Sequence, residues 1–197
     1  MSVSGPPSLQ ISLKTPACAI ATLAYSAYMT RSALADAFGH HVWATVRIIE
    51  ACELLTADQL ATTVPGTYGS ILDTLRHLVA ADRGYLTLLD SSMPNVDEET
   101  LDLATMRSTM YENEPVWQKV VSGPDVEKDV VRHRDDGSDS HAPLGIRLAQ
   151  VIHHGTDHRS QICTGLTGLG YTPPEIDVWD YGREDGRVFV TGESEAA

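Results

Sequence analysis

The sequence has few cysteines, few aromatic side chains and few positive charges. Its three cysteines, Cys18, Cys52 and Cys163, are odd in number and include no CxxC pair. A disulfide framework is therefore not expected, and a reducing, cytoplasmic compartment fits this usage. Cys52 and Cys163 lie among apolar residues in predicted helices, so we expect them to be small core side chains rather than nucleophiles.

The shortage of positive charge excludes a class of partner. Lysine and arginine number 14 against 27 aspartates and glutamates, and the formal net charge is −13. An acidic surface repels phosphate backbones, and no basic stripe offsets this repulsion. No apolar stretch approaches the ~18 residues that a membrane-spanning helix needs. We therefore predict a soluble protein that binds neither nucleic acid nor membrane.

The first 28 residues differ from the rest. A modest apolar run, Ala17–Tyr28, follows the single Lys14 and resembles a poor signal peptide without a clean cleavage site. The periodic sequence begins immediately after Met29. We expect residues 1–28 to be a disordered extension or a mis-annotated start, with secretion as the alternative. The predicted domain is then 29–191, followed by a disordered tail at 192–197.

The apolar residues of this domain recur at steps of three and four, the period of a helix with one core-facing side. Pro115 interrupts one of the periodic segments and could kink or split it. The segments predict an all-α, four-helix bundle. The four predicted helices are Thr30–Leu55, Ser70–Leu89, Asp97–Val121 and Pro143–Leu169.

Two other segments accompany the predicted bundle. Residues Asp129–Ala142 read VVRHR, DDGS and DSHA, which indicates a small β-hairpin with an Asp-Gly turn before the last long helix. The tail YTPPEIDVWDYGRE, residues 171–184, is rich in proline and aromatics. We expect it to pack across the bundle.

The last predicted helix carries two histidines that could share a metal ion. In VIHHGTDHRSQI, His154 and His158 are four residues apart, which puts them ~40° apart on the helical wheel and one turn along the axis. Both fall at the edge of the apolar stripe, whereas His153 falls on the solvent side beside Asp157. Two imidazoles so placed can hold one ion at ~2.0–2.1 Å. A pair of half-buried, hydrogen-bonded histidines is the competing interpretation.

A metal site needs at least one more ligand, and the second predicted helix offers His77 in DTLRHLVAADRG. His77 lies nearly opposite the apolar stripe of Leu75 and Leu78. It shares its face with small and polar residues, which leave room for an ion beside a neighbouring helix. An ordinary exposed helical histidine is the alternative interpretation.

Three segments together resemble the DinB superfamily of metal-binding four-helix bundles, also called DinB/YfiT-like. They are HHGTDHRSQI, SILDTLRHLVAADRGYL and LGYTPPEIDVWDYGRE, and the resemblance covers roughly residues 32–184. The first matches the family pattern H-x-x-x-H-R-x-Q through His154, His158, Arg159 and Gln161. Ser160 stands where the family often has glycine. The resemblance implies a nonsequential helix order and a tri-histidine metal site formed by His77, His154 and His158.

The resemblance also implies a function. Similar proteins include thiol S-transferases that use mycothiol, bacillithiol or glutathione, and a mycothiol-dependent maleylpyruvate isomerase. We therefore expect a divalent metal ion (Zn²⁺ first, with Ni²⁺, Fe²⁺ or Mn²⁺ as alternatives) and a low-molecular-weight thiol. The expected activity is a metal-dependent thiol S-transferase or related enzyme acting on a small molecule. The alternatives are a metal-binding stress or interaction module without turnover, and a metal-dependent hydrolase. A homodimer through a bundle face is expected by family analogy alone.

The sequence also predicts roles for other side chains around this site. We expect Asp73, one turn before His77, to accept the free N–H of that ring, or else to be a solvated helix residue. Arg159 and Gln161 are expected to shape the site or to bond the backbone, with a structural salt bridge as a further alternative for Arg159. His41 is expected to be a hydrogen-bonded core residue, with a position at the edge of the pocket as the alternative. The remaining expectations are exposed or cavity-lining histidines at His133 and His141, and packing tryptophans at Trp43, Trp117 and Trp179.

Overall fold

The computed structural model describes residues 31–191. The predicted N-terminal extension, residues 1–28, and the predicted tail, residues 192–197, lie outside the described residues. Within the described range, no helix combines the length and the apolar character needed to cross a membrane.

Helices dominate the described chain, and a small hairpin precedes the last long helix. This confirms the predicted all-α bundle with its β-hairpin. The two strands are β1 (Asp129–His133) and β2 (Asp139–Pro143), and a short 3₁₀ helix covers Glu98–Thr100. In chain order the α-helices are α1 (Ala33–Cys52), α2 (Ala57–Leu60), α3 (Ile71–Leu89), α4 (Leu103–Val120), α5 (Leu144–Gly168) and α6 (Val178–Glu184).

The long helices do not pack in chain order. α1 packs against α4 and α5, and α3 packs against the same two helices. Consecutive long helices α1 and α3 therefore lie diagonally across the bundle, which agrees with the nonsequential order that the resemblance implies. The apolar stripes meet between the helices, where burial of each large side chain contributes about 1.5–3 kcal/mol. Fully buried members of this core include Phe38, Ile48, Ile49, Leu75, Leu86, Met106, Met110, Trp117, Ile162 and Leu166.

Side-chain caps set where α3 and α4 begin. Ser70 accepts a hydrogen bond from the backbone N–H of Asp73, and the Asp73 carboxylate accepts one from the backbone N–H of Ser70. This reciprocal pair satisfies backbone donors at the start of α3. Asp102 caps α4, so the predicted start of that helix at Asp97 is wrong. The segment before it forms the short 3₁₀ helix instead, capped by Asp97.

Pro115 does not split α4, a possibility that the sequence left open. Pro115 lies inside a helix that continues to Val120. A proline removes one backbone hydrogen bond there, but the surrounding turns are held by buried residues such as Met110 and Trp117. Tertiary packing therefore keeps this helix continuous.

The hairpin and the tail both lie against the bundle. The guanidinium of Arg147 on α5 donates hydrogen bonds to the carbonyl oxygens of Val130 and Ser140, one on each strand. The tail lies along α1, where Nε2 of His40 is 2.8 Å from the carbonyl oxygen of Ile176. The prediction that this tail packs on the bundle is confirmed.

Candidate metal centre

Three imidazole rings from two helices meet at one point beside the core. Nε2 of His154 on α5 lies 3.2 Å from Nε2 of His77 on α3 and 3.1 Å from Nε2 of His158. The candidate ligand atoms of the three side chains all lie within 4.8 Å of one another. The structure therefore brings together all three histidines that the sequence singled out.

Helix geometry explains this convergence. α3 and α5 pack against each other, and the spacing of four residues stacks His154 and His158 on the side of α5 that faces α3. His158 is buried and His154 is half-buried, whereas the adjacent His153 is exposed. The helical-wheel assignment of these histidines is confirmed. His77, expected to be exposed if it were an ordinary surface residue, has only 25% of its side chain exposed.

Gln161 fixes the protonation pattern of His158. The side-chain oxygen of Gln161 accepts a hydrogen bond from the backbone N–H of Tyr68, at 2.9 Å. The same oxygen lies 3.1 Å from Nδ1 of His158. Because this oxygen can only accept, Nδ1 of the ring carries the proton. Nε2 of the neutral His158 ring therefore presents a lone pair to the centre of the cluster.

Glu98 is the charged neighbour of the outer nitrogen of His77. A carboxylate oxygen of Glu98, on the 3₁₀ helix, lies 3.4 Å from Nδ1 of His77. The expectation that Asp73 would occupy this position is wrong. The Asp73 carboxylate accepts hydrogen bonds from the hydroxyl and the backbone N–H of Ser70 instead. It thus caps the start of α3.

The convergent nitrogens have the chemistry of a cation site. Nε2 of His154 faces Nε2 of both other rings, and one ring nitrogen can satisfy only one of these two contacts as a hydrogen bond. A divalent ion at ~2.0–2.1 Å from each nitrogen would place neighbouring donors about 2.9–3.4 Å apart, from octahedral to tetrahedral geometry. The two Nε2 separations, 3.1 and 3.2 Å, fall within this interval. The spacing of His154 from each of the other two rings therefore fits a shared divalent metal ion, and the third pair lies within 4.8 Å.

The surroundings favour the neutral form of two of the three rings. Burial, followed by the neighbouring His158 and His77, lowers the pKa of His154 to about 4. Burial also lowers the pKa of His158, although its hydrogen bond with Gln161 opposes this change. At neutral pH these two rings are unprotonated, which is the form that coordinates a metal.

An aromatic side chain and a cavity adjoin the cluster. The ring of Tyr68 stacks on His77, with centroids 4.2 Å apart and an interplanar angle of 14°. His77 also lines a cavity of about 550 Å³, within the range of small-molecule pockets. The cavity is lined by His77, Ala80, Ala81, Gly84, Tyr85, Thr87, Leu88, Asn95, Val96, Glu98, Arg132 and His154.

A buried polar network lies behind the histidine cluster. Asp82 on α3 accepts hydrogen bonds from Nε2 of His41, from the Asn113 amide and from the Trp117 indole. Nη1 of Arg159 lies 3.0 Å from Nδ1 of His41, on the opposite side of that ring. His41 is therefore the hydrogen-bonded core histidine that the sequence predicted. Arg159 is buried, and its guanidinium contacts His41 and Thr45 on α1 and Thr156 on its own helix.

Other predicted roles have mixed outcomes. His133 and His141 are exposed as expected, and neither lines the cavity beside the cluster. Cys52 is buried and Cys163 is partly buried against the core, and both are free. Trp117 is a core residue, but Trp179 is 67% exposed, so its expected packing role is wrong. α6 turns the indole of Trp179 outward while Tyr181 packs against Trp43.

The chain matches one protein family. The model for the DinB family matches residues 29–187. No curated protein matches the chain.

Proposed function

This chain belongs to the DinB family, and we propose on that premise that it binds one divalent metal ion through Nε2 of His77, His154 and His158. The carrying observation is the convergence of three imidazoles, two of which have another side chain close to their outer nitrogen. Glu98 and Gln161 orient His77 and His158, in the way that groups behind metal ligands do.

The ligand set supports zinc as the first choice of metal. Imidazole nitrogens suit zinc, nickel and iron, and three protein ligands leave at least one position for water or a substrate. Closed structural zinc sites use four protein ligands, whereas catalytic sites use three. Zinc, a thiol cofactor and a homodimer remain predictions of this proposal.

The proposed activity is the transfer of a low-molecular-weight thiol to a small electrophile. An ion held by the three histidines would supply a positive charge that keeps the thiol ionised at neutral pH. The sulfur forms a bond to an electrophilic carbon, whose leaving group departs with the electron pair. The thiol proton is released to solvent.

The residues of the chain support such a reaction by position and shape. Ala80, Ala81 and Gly84 form a wall of small side chains, which gives a ligand access to the face of His77 and His154. A cavity of this size next to the cluster favours small-molecule chemistry over a metal module without turnover.

Metal content tests the first part of the proposal. We expect purified protein loaded with Zn²⁺ to retain about one ion per chain after dialysis, measured by elemental analysis. His154→Ala should abolish retention while circular dichroism shows an unchanged helical fold. His153→Ala is the matched control, because this adjacent histidine is exposed and outside the cluster. Equal retention by His154→Ala and the wild type would refute the site.

Conjugate formation tests the second part. Metal-loaded protein is incubated with glutathione, mycothiol or bacillithiol and an aryl chloride, and the thioether product is measured by mass spectrometry. We expect product with at least one thiol, and loss of product in His154→Ala. Retained metal without product from any thiol would remove the transferase assignment and leave the metal site standing. Cleavage of an ester without thiol dependence would favour the hydrolase instead.

A further inference from the structure

Arg132 is the cation at the rim of the cavity beside the histidine cluster. It lies on β1 opposite Ser140, and its side chain is exposed. Its guanidinium has no hydrogen bond or ion pair with any residue between 31 and 191 that the structure describes. In a chain with 27 acidic and 14 basic residues, a cation without a carboxylate partner at a cavity rim calls for a physical explanation.

Strand alternation keeps the hairpin carboxylates away from Arg132. Side chains of alternate residues in a strand point to opposite faces of the sheet. In this register Asp129 and Asp139 share the face opposite to Arg132, together with His133 and His141. His141 contacts Asp129 at 2.7 Å, and His133 contacts Asp139 at 2.6 Å. The two acidic side chains of the strands are therefore engaged on the far face.

The other ionised group that lines the cavity is also engaged. The Glu98 carboxylate lies 3.4 Å from Nδ1 of His77 and belongs to the support of the histidine cluster. The rest of the lining is mainly small or apolar, with the amide of Asn95 and the hydroxyls of Thr87 and Tyr85 as neutral polar groups. Arg132 is thus the positive side chain that an anionic ligand in this cavity would meet.

We propose that Arg132 binds the carboxylate of a small thiol whose sulfur lies toward the three histidines. This inference rests on the proposed function and deepens it, because it assigns the charge of the thiol. A guanidinium presents paired N–H donors that match the two oxygens of a carboxylate, so it selects for this group by shape as well as by charge. A neutral thiol of equal size gains neither contact.

The experiment compares two thiols of nearly equal shape and different charge. Protein loaded with Co²⁺ is titrated with mercaptopropionate and with mercaptopropionamide, and binding is followed by the thiolate-to-cobalt absorption band. Dissociation constants are measured for the wild type, for Arg132→Gln and for Arg134→Gln. Arg134 belongs to the same hairpin but not to the cavity lining, so its variant controls for the loss of one positive charge.

We expect the wild type and Arg134→Gln to prefer the carboxylate thiol over the amide by the same ratio. In Arg132→Gln this ratio should fall about five- to tenfold, as for loss of a charge-assisted hydrogen bond at a partly open site. Affinity for the amide thiol should stay the same in all three proteins. Metal affinity should also be unchanged, since Arg132 does not contact the histidines.

Failure of this inference and failure of the proposed function give different results. If Co²⁺ binds and the ratio is the same in Arg132→Gln as in the wild type, the inference is wrong and the metal site stands. An equal fall in both arginine variants would also overturn it, because it would reflect long-range charge. If the wild type does not retain Co²⁺, the proposed function fails and this inference fails with it.

Discussion

Nε2 of His41 lies 2.9 Å from Oδ1 of Asp82, and each side chain is only 1% exposed. This contact joins α1 to α3, the two diagonal helices. Asp82 also receives the Asn113 amide and the Trp117 indole from α4, and Arg159 on α5 reaches the other face of the His41 ring. One carboxylate thus connects all four long helices through a single polar network.

Asp82→Ala should therefore be strongly destabilising. It leaves buried donors on His41, Asn113 and Trp117 without their acceptor, and it removes the negative charge that faces buried Arg159. We expect the free energy of unfolding to fall by about 3–5 kcal/mol, measured by urea denaturation with the midpoint and slope fitted separately. Asp157→Ala is the control, because Asp157 is exposed on α5. A loss below about 1 kcal/mol for Asp82→Ala would contradict the structural role.

Gln161→Met should weaken the metal site without unfolding the bundle. The variant removes the oxygen that fixes the proton on Nδ1 of His158. We expect the dissociation constant for Zn²⁺ to rise about 10- to 100-fold, measured by competition with a chromophoric chelator. Gln150→Met on the exposed side of the same helix should leave it unchanged. An equal effect of both variants would indicate a general loss of stability.

Substitution of Glu98 should affect metal affinity, whereas substitution of Asp73 should affect stability. Glu98→Gln should raise the dissociation constant for Zn²⁺ by a smaller factor, about threefold, because the Glu98 side chain is 42% exposed and solvent screens its charge. Asp73→Ala should leave metal affinity unchanged and lower stability by about 1 kcal/mol, as expected for a helix-cap residue. The same chelator competition and urea denaturation measure both. The reverse result would mean that Asp73, and not Glu98, supports the ring of His77.

The pH dependence of metal retention follows from the lowered pKa of His154. A proton competes poorly for a ring with a pKa of about 4, so the protein should keep its metal at pH 5 and release it as the pH approaches 4. The free energy of unfolding of the metal-free protein should change with pH in the same direction as metal retention. Between about pH 6.5 and 4 the unfolded chain binds the proton more tightly, so stability should fall as pH falls through this window. Dialysis at stepped pH followed by elemental analysis checks the first expectation, and release centred near pH 6.5 would contradict it.

Two glycines in helices should respond oppositely to alanine. A Cβ on Gly155 would clash with the ring of His41 and meet Arg159, so we expect Gly155→Ala to cost about 1–3 kcal/mol. A Cβ on Gly84 meets nothing within 4 Å, so Gly84→Ala should stabilise α3 by about 0.5–1 kcal/mol. Thermal denaturation of the two variants side by side gives the comparison. Equal shifts would mean that α1 and α5 do not approach as closely as described.

Local patterns were sufficient for three of the long helices and for two of the three histidines. Apolar periodicity gave α1, α3 and α5 to within about three residues, and the spacing of four placed His154 and His158 on one face. His77 needed the family resemblance as well, because its own helical wheel was ambiguous. The binding of a metal by these residues stays a prediction, although the structure brings the rings together.

The residues around the cluster were not predictable in the same way. Glu98, Tyr68 and Arg132 come from a 3₁₀ helix, a loop and a strand, and no periodicity relates such segments to a site on α3. Asp73 shows the converse error. Its spacing from His77 was suitable, but the hydroxyl and backbone of Ser70 at the helix start compete for the same carboxylate. Long-range packing and capping decide these cases.

The attachment of the hairpin has an evolutionary consequence. Arg147 holds both strands by their backbone carbonyl oxygens, so the side chains of the strands are free to change without loosening the attachment. The three clustered histidines belong to α3 and α5, which do not depend on the identity of those side chains. Hairpin side chains can thus be exchanged during evolution without moving the three clustered histidines.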